Sequence, residues 1–279
     1  MKARCGICHH NCSLAEGQLG VCRARRNRGG RIICENYGRI TSLALDPIEK
    51  KPLYRFRPGS MILSVGSYGC NMRCLNCQNY VISMADPDKD GRMVRWSEMT
   101  PDELVRRAAE LIPYGNIGLA YTYNEPFIGY EFVMDCARLV RERGLVNIAV
   151  TNGCINEQPL LEIIPYIDAM NIDLKSFRPD FYRRMGGDLD TVLRTIKIAA
   201  KRCHVEVTTL IIPGENDSEE EIEEIASWLS AVDENITLHV TRFFPAWKMT
   251  DTPPTPVDRV YALAGIAKRR LKNVFVGNC

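Results

Sequence analysis

Cys70, Cys74 and Cys77 share one loop, Tyr68-Gly69-Cys70-Asn71-Met72-Arg73-Cys74-Leu75-Asn76-Cys77-Gln78-Asn79, with three residues between the first pair and two between the second. Structural zinc takes four protein ligands and disulfides use thiols in pairs, so three cysteines suit neither. A cubane [4Fe-4S] cluster is normally held by four thiolates, and three would leave one iron open to something else. An open iron beside protein is a catalytic feature. The bland alternative is three small apolar side chains. The loop, however, follows an apolar run, Met61-Ile62-Leu63-Ser64-Val65-Gly66, that reads as a buried strand. A polar loop at a strand end is a poor place for inert thiols.

A second cysteine array opens the chain: Cys5-Gly6-Ile7-Cys8-His9-His10-Asn11-Cys12, then Gly17-Gln18-Leu19-Gly20-Val21-Cys22. Cys5, Cys8, Cys12 and Cys22 can close a tetrahedral all-thiolate zinc site, or equally ligate a second iron–sulfur cluster. His9 and His10 are substitute ligands or, more simply, loop histidines.

These loops need elements to hold them. From residue 61 strand-like runs at 61–66, 117–122, 147–151, 168–174, 205–212, 236–241 and 273–276 alternate with amphipathic helices, notably 102–112, 127–143, 191–201, 217–230 and 256–271. Repeated βα units imply a parallel sheet with right-handed crossovers. Their number predicts an α/β fold, a partial (β/α)6 TIM-type barrel over residues 56–279. Residues 1–55 form a small N-terminal cysteine-rich, metal-binding appendage. In it, 32–34 and 40–45 read as a hairpin around Asn36-Tyr37-Gly38, and the arginine-rich stretch 23–31 as a solvated turn. Residues 46–54 link the two parts.

Ligands in such folds sit at the C-terminal ends of the strands, and polar residues gather there. Ala120-Tyr121-Thr122-Tyr123-Asn124-Glu125-Pro126 places a carboxylate past a strand, beside a proline that starts a helix. Glu125 can accept from an ammonium group; its simpler role, with Asn124, is to cap the helix. Thr151 and Asn152 follow another strand. Asp173 and Lys175 stand two apart on a third, so they face one way, and buried charges need each other or a ligand. The run Glu219-Glu220-Glu221 suits the positive end of a helix capped by Asp217 or Ser218, and reads as a solvated face. The segment 239–249 brings aromatics, Arg242 and Lys248 to the barrel mouth.

The chain has 279 residues and a net charge of +2, so no strong field argues for nucleic acid, membrane or an acidic partner. Twelve cysteines at short spacings without a signal peptide favour metal binding in a reducing cytoplasm over disulfides. No apolar stretch approaches the roughly 18 residues that cross a bilayer.

The Cys-x3-Cys-x2-Cys loop resembles the cluster motif of the radical S-adenosylmethionine (SAM) enzymes. Over essentially the whole length the chain is similar to the radical SAM member of the AmmeMemoRadiSam system, within the pyruvate formate-lyase-activating group. The N-terminal cysteines, Asp46-Pro47-Ile48-Glu49-Lys50-Lys51-Pro52-Leu53, the cluster loop and residues 241–256 carry that resemblance. It implies that SAM chelates the open iron and is cleaved reductively to a 5′-deoxyadenosyl radical, which abstracts hydrogen from a protein, peptide or other substrate. Glycyl-radical activation is one such reaction. It implies an external electron donor of ferredoxin or flavodoxin type. It also implies that Tyr123, Asn124 and Glu125 stand where a Gly-Gly-Glu-like motif binds the methionine amino group. Thr151, Asn152, Asp173 and Lys175 would give further SAM contacts: Asp173 to ribose, Lys175 to the carboxylate. Two positions depart from the pattern. Asn76 replaces an aromatic that lies against adenine, leaving only an amide to meet the base, and Val150 replaces an aspartate. The rival from another class is an iron–sulfur electron carrier or metal-knuckle binding module without SAM chemistry. An electron carrier has no need of the strand-end polar set.

Overall fold

In the computed structural model, which describes residues 1–89 and 94–279, seven strands run parallel in chain order: β2 (Met61–Gly66), β3 (Asn116–Tyr121), β4 (Val146–Thr151), β5 (Ala169–Asp173), β6 (His204–Ile211), β7 (Thr237–Arg242) and β8 (Asn273–Gly277). An eighth, β1 (Ser42–Pro47), pairs antiparallel with β2 at the edge. Neighbours in sequence are neighbours in the sheet, as right-handed βα crossovers dictate. No pairing joins β1 to β8 among the described residues, so the barrel is partial, as the sequence predicts.

Helices α1 (Pro101–Glu110), α2 (Tyr130–Glu142), α3 (Glu157–Ile163), α4 (Pro179–Arg184), α5 (Leu189–Ala199), α6 (Glu219–Val232) and α7 (Val257–Ala267) fill the crossovers. Helix α1 starts on a capping box, where Thr100 Oγ1 accepts from Glu103 N and Glu103 accepts in return from Thr100 N. Ser218, not Asp217, caps α6 by accepting from Glu221 N at 3.1 Å. The period-2 alternation of the strands sorts residues to two faces. Leu63, Val65, Met170, Ile172, Val207 and Val240 face outward and join the helices in the main core. Gly118 allows strands β3 and β4 to approach closely, for a Cβ there would lie 1.9 Å from Val146 O.

The inward face is closed at its lower end by the segment after β1. A 3-10 turn, Ile48–Lys50, leads into residues 51–56, which pass inside the sheet. Ile48 and Leu53, both fully buried, pack with Ile62, Ala120, Val146, Ile148 and Ala169. Tyr54 N and Arg55 N donate to Glu206 at 3.0 and 2.8 Å, and Asn171 Nδ2 donates to Pro52 O at 2.8 Å. Glu206 is itself fully buried and also meets His204 Nε2 at 2.9 Å and His239 Nε2 at 2.6 Å. His239 therefore belongs to this plug and not to the barrel mouth.

Three local expectations fail. The hairpin expected from 32–34 with 40–45 does not form. Arg31–Cys34 pairs instead with Arg25–Arg28 around Gly29-Gly30, both at positive φ (60° and 78°), while Ser42–Pro47 enters the main sheet. A Gly-Gly turn matches the right-handed twist of its strands better than the loop at 36–38 does. The arginines at 23–31 are not a solvated turn: Arg25 is 4% exposed and makes a two-pronged ion pair with Glu131. Nor is the run 219–221 wholly solvated, because Glu221 is buried and accepts from Phe177 N at 2.7 Å.

Candidate active site

The loop after β2 is pinned from several sides. Asn124 Oδ1 accepts from Ser67 N at 3.0 Å and its Nδ2 donates to Gly69 O at 3.0 Å. Asn79 Nδ2 donates to Tyr123 O at 2.8 Å, Arg73 N to Met185 O at 2.7 Å, and Lys248 N to Leu75 O at 3.0 Å. Gly69 sits at φ +86°, and a Cβ there would lie 2.5 Å from Cys22 O, so the loop rests directly on the N-terminal segment. Asn152 Nδ2 bonds Asn71 Oδ1 at 2.8 Å and approaches Cys70 Sγ at 3.6 Å. Met72 N donates to Cys70 Sγ at 3.4 Å, and Cys77 Sγ stands 3.1 Å from Ser83 Oγ.

Burial pushes the thiols of Cys70 and Cys74 up. Nearby positive charge is what stabilises a thiolate in such surroundings. The N–H and O–H groups aimed at sulfur are the kind that tune a cluster. Three thiols on one concave wall, carrying polar donors, fit a cubane that spreads its ligands over several irons. Among the described residues no three His, Cys, Asp or Glu side chains meet as closely as a single ion requires.

Glu125 reaches the cavity from the end of β3 and is 3% exposed. Its carboxylate accepts from Thr151 Oγ1 at 2.9 and 3.0 Å, from Asn152 N at 2.8 Å and from Phe127 N at 3.0 Å. The last bond is the cap expected of it. Burial raises the carboxyl to about 7, against those donors, which favour its ionised form. Asp173 and Lys175 point the same way, as their spacing demands, and pair at 2.7 Å. Burial works against the Lys175 charge, but Asp173 and Cys74 hold its ammonium above the ordinary lysine value.

All of these residues meet in one cavity of about 380 Å³. Its lining includes Cys70, Cys74, Cys77, Asn76, Tyr123, Asn124, Glu125, Thr151, Asn152, Asp173 and Lys175, every residue the sequence assigns to the cluster loop and to SAM. The sequence reading missed Lys50, Lys51, Thr208, Thr241 and Asn278, which also line it. The one available signal was two lysines set amid apolar residues and prolines at 47–53.

The N-terminal cysteines are also brought together. Cys5, Cys8 and Cys22 are buried, and Cys5 N donates to Cys12 O at 2.9 Å. A Cβ at Gly20 would lie 3.8 Å from the sulfurs of both Cys12 and Cys22. Burial, with some help from the neighbouring thiols, pushes Cys8 up to about 12. His9 and His10 are half-buried. They meet Gly186 O at 3.2 Å and Asn71 O at 2.8 Å, tying this segment to the barrel and the cluster loop.

Comparison with known proteins agrees with this geometry. The Methanocaldococcus jannaschii protein MJ0808 is 42% identical over 281 aligned residues, covering 99% of this chain and 81% of its own. The indoleacetate decarboxylase activating enzyme of Tractidigestivibacter scatoligenes is 28% identical over 136 residues, 47% of this chain and 43% of its own. Among solved structures, Streptococcus suis SuiB bound to precursor peptide SuiA superposes with a TM-score of 0.56 at 15% identity, over 83% of this chain and 51% of SuiB. A domain of pyruvate-formate lyase-activating enzyme from Bacteroides vulgatus gives 0.51 at 16% identity, over 58% and 99%. The sequence profile described as the Radical SAM superfamily matches residues 64–229, more than half of the chain. The chain belongs to the radical SAM superfamily.

Proposed function

We propose that this protein is a radical SAM enzyme of the activating-enzyme type, the SAM-dependent member of an AmmeMemoRadiSam system, acting by hydrogen abstraction on a protein or peptide in the cytoplasm. Membership of the superfamily implies a [4Fe-4S] cluster and SAM. When bound, the pair supplies an electron and a 5′-deoxyadenosyl radical able to take a hydrogen atom from substrate.

The chain's own residues do the rest. Cys70, Cys74 and Cys77 would hold the cluster and leave one iron free. Glu125, braced by Thr151 and the Asn152 amide, would receive the methionine ammonium, and Lys175 its carboxylate. Asp173 would take ribose hydroxyls, while Asn76, Tyr123 and Asn124 complete the wall. Cys5, Cys8, Cys12 and Cys22 would hold a second metal centre beside the loop they support, an auxiliary cluster, or zinc once the four thiols draw closer than they stand here. An external ferredoxin- or flavodoxin-type protein would deliver the electron.

One observation carries this reading: a single cavity unites three thiols with a buried carboxylate and an Asp–Lys pair. An electron carrier needs the thiols alone. The test is an anaerobic, dithionite-reduced incubation with SAM. Wild type should yield 5′-deoxyadenosine and Cys74→Ala none; iron that binds without any 5′-deoxyadenosine from wild type would decide for the carrier.

A further inference from the structure

The ionisable groups around the cavity are unevenly paired. Asp173 and Lys175 close on each other at 2.7 Å. Glu125, on the reading above, answers the ammonium of SAM. That leaves a third group, set where edge strand β1 runs into the turn that follows it. Asp46 Oδ2 accepts from Lys51 Nζ at 2.9 Å and from Tyr123 Oη at 3.0 Å, and Asp46 Oδ1 meets Lys50 Nζ at 3.3 Å. Two cations therefore share one carboxylate. Asp46 already receives three donors, close to the four or so that a carboxylate accepts.

Lys51 is the telling member. Its side chain is 4% exposed, although a buried ammonium is costly without full partnership. It has three N–H donors, and Asp46 is its one hydrogen-bonded acceptor among the described residues. The ring of Tyr123 faces Nζ at 4.9 Å, which helps a cation without satisfying a donor. Both lysines line the cavity. Asn278, just past β8, lines it as well, so the space reaches across the gap where β1 and β8 do not pair. At this end of the cavity two ammonium groups stand against one carboxylate.

We infer that Lys50 and Lys51 form a substrate subsite for an anionic group, a carboxylate or a phosphate, with Asp46 holding the two ammonium groups together until it arrives. This inference depends on the proposed SAM chemistry only for the charge assigned beside Glu125.

The test titrates reconstituted, SAM-bound protein with inorganic phosphate and, separately, with acetate, following heat of binding. Saturable binding of either anion is expected. Lys50→Gln should raise its dissociation constant about tenfold, the effect of one charge-assisted hydrogen bond. Asp46→Asn should lower it, because a competing anion is gone. Lys51→Met, checked for folding by circular dichroism, should weaken binding as Lys50→Gln does. Lys50 is largely exposed and its variant keeps the test informative if the buried substitutions fail to fold. Phosphate binding alone would assign phosphate esters and acetate alone carboxylates; either supports the subsite. No saturable binding to wild type, or Lys50→Gln and Asp46→Asn shifting affinity in the same direction, overturns it. Scoring 5′-deoxyadenosine in the same wild-type samples keeps failure of the subsite distinct from failure of the SAM reading.

Discussion

Glu125→Gln removes the charge and leaves one backbone donor beside it without an acceptor. Three donors point at the native carboxylate, from Thr151 Oγ1, Asn152 N and Phe127 N. Phe127 N donates to Oε1 and Asn152 N to Oε2, so a carboxamide keeps one backbone amide and the Thr151 hydroxyl, which also accepts, and turns its NH2 toward the other N–H. Glu125→Ala would instead orphan all three donors at about 1–3 kcal/mol each, a serious fraction of a total stability of about 5–15 kcal/mol. Gln is therefore the informative change. A hydrogen bond to a charged group contributes about 1.5–3 kcal/mol, so SAM affinity should fall about 10- to 100-fold, while the one orphaned amide should cost about 1–3 kcal/mol of stability, about a third of the loss in Glu125→Ala. The pH dependence supplies a second signature. Burial holds this carboxyl at about 7. Between its ordinary value and that one the folded protein keeps a proton that the unfolded chain has lost, so stability falls as pH rises through this window. An ammonium ligand needs the ionised form. SAM binding to wild type should therefore tighten as pH climbs to about 7 and level above it, and binding to Glu125→Gln should lack that slope. The assay is calorimetric titration of anaerobically reconstituted protein with SAM. Unchanged affinity in the variant, or an identical pH slope in both proteins, would refute the role given to Glu125.

Other outcomes follow from the same geometry. Burial alone would raise the Glu206 carboxyl, but His204, His239 and the amides of Arg55 and Tyr54 outweigh it and hold it at about 2. Its folded value lies below the ordinary 4.5, so its contribution is complete above that and is lost as pH falls toward 2. Wild type should lose about 3 kcal/mol over this window in urea denaturation and Glu206→Gln should not; parallel curves would refute the assignment. Gly69→Ala places a Cβ 2.5 Å from Cys22 O at a φ of +86° and should cost about 1–3 kcal/mol and lower iron content per chain. Normal iron loading and melting in that variant would show that the loop does not lean on the N-terminal segment.

The barrel was legible because its strands are long, apolar and evenly interrupted, and period-2 alternation placed Asp173 and Lys175 on one side before any coordinates. The gathering of Cys70, Cys74 and Cys77 on one cavity was legible from their spacing alone. Helices α3 and α4 were not, being 7 and 6 residues long and each carrying a proline, too short for a helical period to emerge. The burial of Arg25 was hidden because Glu131 lies 106 residues away, and a charge reads as solvated until its partner is known. Lys50 and Lys51 escaped for the same reason. Their stretch looks like a surface linker, and only the curvature of the whole sheet shows that it passes inside.

That inner passage bears on how the chain reaches its native state. Tyr54 and Arg55 must find Glu206, more than 150 residues further on, and Tyr54 must also pack its ring 5.1 Å from Phe275. Contacts so distant along the chain are slow to form. The early segment cannot complete these contacts until β6 and β8 have been synthesised. Synthesis order thus places the closing of the inner face after β8 has been made.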